Sequence, residues 1–278
     1  MWKDVTFAVR VLRKSPGFMT VAVLSLALGI GANTAIFSFV NALLLKRLQV
    51  PNTGQLVTFA ESYRGETAGK VWKLDTVEEF AKHSPVFSGV FGWFPKTLSL
   101  STGDTARWVL SELVTGEYFE TLQVRPAVGR FFTDSDVRDA VANPVCVISY
   151  GLWQREFAGD HAVVGRNVFL NGHSYCVLGV TAKGFYGADL QHRFDLQLPA
   201  TRIGDFMPAF GGVTSADWLR KVSWLSPMAR LKPGVSKLQA QETTQRLLRQ
   251  MQGGSQMYAW RTAVRDLATR DPRSAAPC

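Results

Sequence analysis

The sequence is short of the residues from which most active sites are built. It holds three cysteines and four histidines among 278 residues. His83, His161, His173 and His192 form no HExxH pair and no spacing typical of zinc sites. Each stands beside turn-formers or charged residues and is expected on the surface or in a loop. No GxSxG elbow is present, so the nucleophile of that hydrolase class is missing. The segment Gly65-Glu-Thr-Ala-Gly69-Lys70-Val71 has three residues between its glycines where a phosphate loop has four. Val71 also stands where a magnesium-binding hydroxyl is required, so ATP binding by this chain is not expected. Asp134, Asp136 and Asp139 lack the central Gly and the distant Glu of a calcium loop, and a solvated or capping acidic turn is the expectation. The chain is thus expected to be no enzyme and to need no cofactor or metal.

Concentrated positive charge is also missing. The net charge is +9, yet residues 1–45 carry four basic and one acidic residue, and the remaining 233 positions carry a diffuse +6. No Lys/Arg run tracks phosphates, so nucleic acid is not an expected partner.

Long apolar runs are absent as well, with one exception. Between Lys14 and Lys46 lie 31 positions without a charge. A bilayer core of ~30 Å needs about 20 helical residues, so Thr20–Phe39 alone would span it. A cleaved signal has an apolar region of roughly 7–15 residues and a small-residue cut site; here the run is longer and Lys46-Arg47 follows. A retained span is therefore expected. Lys3, Arg10, Arg13 and Lys14 precede it and Lys46 and Arg47 follow, an asymmetry that keeps the N-terminus in the cytoplasm and places residues 46–278 outside.

Thr20, Ala27, Thr34 and Asn41 recur every seven residues along this run, and Gly31 and Ser38 fall on the same stripe. Small residues let helices approach closely and hydroxyls or amides hydrogen-bond across the contact, so the stripe reads as a helix-packing seam. Such residues are also common in membrane helices generally, and both readings stay open. Gly29-x-Gly31 is not a dinucleotide loop, because it lies inside a continuous apolar helix rather than after a strand. Ahead of the span, Trp2, Val5, Val9 and Leu12 share a helical face while the cations lie off it. This predicts a basic amphipathic helix over residues 1–16, lying on the membrane surface until Ser15-Pro16-Gly17 turns the chain inward.

Beyond residue 45 the pattern is mixed α+β without a second span. Strands are expected over Gln55–Glu61 and Val222–Leu231. A short helix is expected over Leu74–His83, begun by Asp75 or Thr76. Hairpins are expected where Leu98–Ser101 and Ala106–Val114 flank Thr102-Gly103-Asp104, and where Asn167–Leu170 and Ser174–Val180 flank Asn171-Gly172. A helix capped by Ser236 follows, with Leu238, Leu247, Leu248 and Met251 as its apolar positions. Cys146 and Cys176 lie in two expected strands and could pair in an oxidising compartment or stay buried and free.

The segments ALGIGANTAIFSFVNALLL, GEYFETLQVRPAVGRFFTDSD and VISYGLWQREFAGDHAVVGRNVFLNGHSYCVLGV resemble the N-terminal half of MacB-like, FtsX-family ABC transporter permeases. The similarity runs from Trp2 to about Met251, and its first segment resembles the large permeases of acidobacterial type. The resemblance implies a juxtamembrane helix (1–16), a transmembrane helix (17–45) and a MacB-type α+β periplasmic core domain (46–278). It also implies an inner-membrane location, an ATPase on a separate cytoplasmic chain, and motion passed to the periplasmic domain. The partners it implies are that ABC ATPase, a second copy or further permease helices, and a periplasmic adaptor. Family permeases continue into at least three more helices where this sequence reaches Cys278, so a truncated or split permease is expected, or an anchored domain working alone. A reporter fused after residue 46 is expected to be active only outside the cytoplasm; cytoplasmic reporter activity there would refute the topology.

Overall fold

The computed structural model describes residues 16–44, 48–63, 66–69, 71–103, 105–138, 144–207, 222–251 and 261–266. The chain divides into two compact units, one ending at Arg47 and one beginning at Leu48. The described part of the first is a single helix, α1 (Pro16–Leu44). Pro16 takes the first helical position, where a missing N–H leaves no bond unmade. The helix therefore opens at Pro16, and Gly17 is already helical rather than part of a turn. Its 29 residues extend ~43 Å. The stretch Met19–Phe37 is long and apolar enough to cross a membrane. The amphipathic helix expected over residues 1–16 lies outside the described residues, apart from Pro16.

The second unit is built on one mixed sheet. In chain order its elements are β1 (Leu56–Tyr63), β2 (Glu66–Gly69), α2 (Leu74–His83), β3 (Phe87–Ser101), β4 (Ala106–Val114), α3 (Tyr118–Leu122), β5 (Pro126–Gly129) and α4 (Asp134–Arg138). There follow β6 (Val145–Ile148), α5 (Tyr150–Phe157), β7 (Asn167–Leu170), β8 (His173–Thr181), β9 (Leu196–Pro199), β10 (Ser226–Leu231), α6 (Lys237–Met251) and β11 (Arg261–Asp266). The strands run in the order β11-β1-β10-β3-β4-β9-β6-β8-β5, with β2 beside β1 and β7 bridging β3 to β8. Pairing is antiparallel except for β4 with β9 and β6 with β8.

Both expected hairpins form. Ser101 faces Ala106 across the β3–β4 turn, of which Asp104 lies outside the described residues. Leu170 faces His173 across Asn171-Gly172. Those two turn residues have φ of 47° and 85°, the left-handed pair that a two-residue turn requires and that Asn-Gly tolerates. The α2 helix starts one residue earlier than Asp75: its N-cap is Lys73, which makes no side-chain cap. Leu74 is buried with Val77 and Phe80, so packing of the first turn sets the start while Asp75 faces the positive helix end. The β10 strand begins at Ser226 rather than Val222, because Leu225 is taken by Trp72, whose N–H donates to the Leu225 carbonyl at 2.8 Å. Ser236 caps α6 as expected: the Gln239 N–H donates to Ser236 Oγ at 3.2 Å and the Ser236 N–H donates to Gln239 Oε1 at 3.0 Å. On α6 the buried face is Ala240, Thr243, Thr244 and Leu248; Leu238 lies off that stripe and Met251 ends the helix, and both are exposed.

Apolar side chains leave both faces of the sheet. One face carries Val90, Leu98, Leu100, Val109 and Leu113 and is covered by α2, α5 and α6. The other carries Phe91, Trp93 and Val114 and is covered by Leu48, Val50, α3, Phe132 and the segment Phe185–Phe194. Full burial of each large apolar side chain contributes about 1.5–3 kcal/mol, so a sheet covered on both sides is the favoured arrangement. Cys146 belongs to the first core and Cys176 packs against the second. In the parallel pair β6–β8, Cys146 stands opposite Val177 and Cys176 opposite Val145, so the two thiols point to opposite faces and both are free. Burial raises the Cys146 thiol further above its ordinary range.

One cation is buried in the second core. Arg230, on β10, is 2% exposed. Its Nε donates to the Thr121 carbonyl at 2.6 Å, Nη1 to the Asn52 carbonyl at 3.2 Å and Nη2 to the Leu122 carbonyl at 3.4 Å. Among the described residues no carboxylate meets it. Its counter-charge is the negative end of α3, whose last carbonyls have no helical partner. Burial lowers its pKa. Arg230→Met is expected to orphan these acceptors and lower stability by roughly 1–3 kcal/mol. Arg230→Lys should recover little of that, since one ammonium cannot reproduce the planar fork. Thermal unfolding of the detergent-solubilised chain followed by circular dichroism checks both.

Candidate functional site

The sequence-expected seam lies along α1. Thr20, Ala27, Gly31 and Thr34 are all exposed on the helix, and a Cβ added at Gly31 would meet nothing within 4 Å. Thr34 Oγ1 donates to the Ile30 carbonyl at 2.8 Å, holding that hydroxyl against its own helix. Ser38 and Asn41 are part of the helix, but their side chains lie outside the described residues.

The acidic turn is a capping device. Asp136 accepts from the Thr133 N–H at 2.8 Å and from both Arg130 nitrogens at 2.7 and 2.9 Å. The guanidinium holds the Asp136 carboxyl well below the usual carboxylate range. Asp139 lies outside the described residues. All four histidines are exposed; His83 meets Glu79 at 3.0 Å and His192 meets Asp189 at 2.6 Å. Among the described residues no group of three metal-ligating side chains converges. In the phosphate-loop look-alike, Glu66–Gly69 is strand β2, while Gly65 and Lys70 lie outside the described residues. A cleft of about 240 Å³ opens beside α2, lined by Leu74, Val77, Glu78, Lys82, Thr115 and Glu117 among others.

A buried carboxylate that sequence reasoning missed is strongly perturbed. Glu112 lies in β4 on the second face of the sheet, fully buried. It accepts from Tyr118 Oη at 2.5 Å and from the Ala188 N–H at 3.0 Å. Gln197 stands beside it on β9, within electrostatic reach, but its amide adopts no hydrogen-bond geometry. Burial dominates these partners and pushes the Glu112 carboxyl up to about 8, so it is mostly protonated at neutral pH. Desolvation also raises Tyr118 above its ordinary value. The signal in the sequence was a lone charge within the strand Val109–Val114, where Ser111 is the only other polar residue.

Glu112 lies under the 14-residue connection from β8 to β9, residues 182–195. Gly187 in that connection has φ of 106°, and a Cβ there would overlap the Phe194 ring and Glu112 Oε2. A Cβ at Gly184 would overlap Gln49 Oε1, so the same connection also rests on the first residues of the unit. Phe185 packs against Tyr118 and Phe194 against Trp93.

The family model for the MacB-like periplasmic core domain matches residues 19–247, and the chain belongs to that family. The fold resembles the periplasmic region of MacB from Actinobacillus actinomycetemcomitans, with 16% identity, a TM-score of 0.56, and coverage of 79% of this chain and 91% of that one. It also resembles a domain of a putative permease protein from Porphyromonas gingivalis, with 19% identity, a TM-score of 0.56, and coverage of 78% and 93%. A third likeness is the extracellular domain of the noncanonic ABC-type transporter YknZ from Gram-positive bacteria, with 15% identity, a TM-score of 0.51, and coverage of 76% and 99%. No curated protein matches the chain. The chain thus carries a MacB-like periplasmic core domain and, among the described residues, one apolar N-terminal helix long enough to cross a membrane.

The raised Glu112 pKa makes stability fall with pH. The folded state keeps a proton that the unfolded state, near the ordinary carboxylate value of ~4.3, has lost. The contribution is fully present below that value and is lost as pH rises towards about 8. Stability is expected to fall by on the order of 1 kcal/mol per pH unit across this window in the native chain. It should stay flat there in Glu112→Gln. Asp136 acts in the opposite sense and only at acid pH, so it does not mask the effect. Melting temperature against pH for both proteins is the measurement.

Proposed function

We propose that this chain is a permease-type subunit of an ABC transport or efflux system. ATP binding on a separate cytoplasmic chain draws permease helices together, and the domain from residue 46 onward moves in response, expelling substrate or acting on a periplasmic adaptor. The observation that supports this reading is the junction of a membrane-length helix, Met19–Phe37, with a domain of the MacB family. Residues 1–16 lie on the cytoplasmic surface of the inner membrane, residues 17–45 span it, and the remainder is periplasmic. In this arrangement Thr20, Ala27, Gly31, Thr34, Ser38 and Asn41 contact a second copy or other permease helices. The alternative is a membrane-anchored periplasmic adaptor without transport activity of its own.

Affinity purification of the tagged chain from crosslinked membranes separates the two. A permease brings down an ABC ATPase whose activity survives Lys70→Ala; preparations free of any such ATPase favour the adaptor. In the same membranes, Gly31→Leu should reduce helix crosslinks by adding bulk to the seam, at a cost on the order of 1 kcal/mol or more of association. Ile30→Leu, off the stripe, should not. Equal crosslinking in both variants would remove the seam from the proposal.

A further inference from the structure

The 182–195 connection is fixed at its exit, and its middle is tied to Glu112 of the sheet. At its exit the Asp195 N–H donates to the Leu110 carbonyl and the Ser149 N–H donates to the Asp195 carbonyl, both at 2.7 Å. Within it, Arg193 lies over the Tyr186 ring at 4.4 Å and the Phe194 N–H donates to the Tyr186 carbonyl at 2.9 Å, so residues 186–194 form a closed loop. Its polar tie to the sheet in the middle is the Ala188 N–H on Glu112. Gly184 meets Gln49, two residues into the unit, and Phe185 shares a core with Leu48 and Val50. This connection therefore lies between the first residues of the domain and the sheet.

We propose that residues 182–195 form a proton-controlled latch: protonated Glu112 seats the loop over the sheet, and loss of that proton to water lifts the loop's middle and uncouples Gln49 from the sheet. The groups around Glu112 dictate that direction. From α3 it meets the neutral Tyr118, from β9 the uncharged Gln197, and across β3 it faces Pro95, which cannot ionise. From the loop it faces Asp189, a 7%-exposed carboxylate bonded to the exposed His192. No cation from these elements compensates an ionised Glu112, and Asp189 repels it. An ionised carboxylate here needs water. The strands are tied into ladders and α3 is held by Arg230, so the irregular loop is the cover that can give way. The consequence for transport rests on the reading above, because the latch would set how firmly the membrane-proximal segment engages the sheet.

The test is hydrogen exchange of peptides covering residues 182–195 in the full-length chain in detergent, from pH 6 to 9.5, corrected for intrinsic exchange. Protection in the native chain is expected to fall by about tenfold or more across the range. In Glu112→Gln it should stay level. Asp189→Asn, which keeps the acceptor for the Gln191 N–H, should move the transition to lower pH by removing the repelling charge. Level protection in the native chain, or an equal fall in Glu112→Gln, overturns the proposal. If Glu112→Gln does not fold, an unmoved transition in Asp189→Asn overturns it instead. No ATPase takes part in this experiment, so the latch and the transport reading can fail independently.

Discussion

The guanidinium of Arg230 is where the second face of the sheet is tied together. A buried cation without a carboxylate is tolerated only where fixed dipoles replace water, and the carbonyls at the end of α3 and at Asn52 supply them. Three stretches far apart in sequence meet there: the first residues of the domain, the short α3 helix and strand β10. The five residues of α3 are too few to hold as a free helix, so its position depends on that contact and on Tyr118, Phe119 and Leu122, all buried. The site around Glu112 rests in turn on α3, since Tyr118 is its first hydrogen-bond partner.

The two faces of the sheet differ in what covers them, and the difference bears on function. On the first face regular helices pack against β-branched and leucine side chains. On the second face the cover is a short helix, the domain's opening residues and an irregular connection, with aromatic rings filling the gaps; Phe119 and Phe131 stack at 3.8 Å. Irregular cover has fewer cooperative backbone bonds and opens at lower free energy than ladders or long helices. It is also the side on which Leu48 and Val50 are buried. In a protein whose proposed role is to pass motion from a membrane helix to an exported domain, the pliable side lies where the chain enters.

Local structure was legible where local chemistry decides it. Asn171-Gly172 takes left-handed dihedrals almost regardless of surroundings, and Ser236 with Gln239 closes a capping box within four residues. Leu74–His83 was readable as a helix from its spacing, but its cap was not, because Leu74 is drawn in by packing rather than by Asp75. The β3 strand proved far longer than the hairpin arm expected for it, running Phe87–Ser101. Its first half pairs with β10, more than 120 residues away, and no local pattern announces that partner.

The uncharged run between Lys14 and Lys46 by itself determined that a helix of membrane length lies in the first 45 residues, since length and apolarity act without any partner. The sequence likewise determined the Asn171-Gly172 turn, the Ser236 cap and a resemblance to MacB-like permeases. Only the tertiary structure decided which face of a strand each side chain meets. A one-residue offset between β6 and β8 sends Cys146 and Cys176 to opposite cores, where sequence alone left a disulfide open. The same holds for Glu112 and Arg230, a strand carboxylate and a strand cation that sequence reasoning did not single out. Their buried states arise because distant segments close over them, and desolvation depends on the assembled neighbours rather than on the residue or its sequence context.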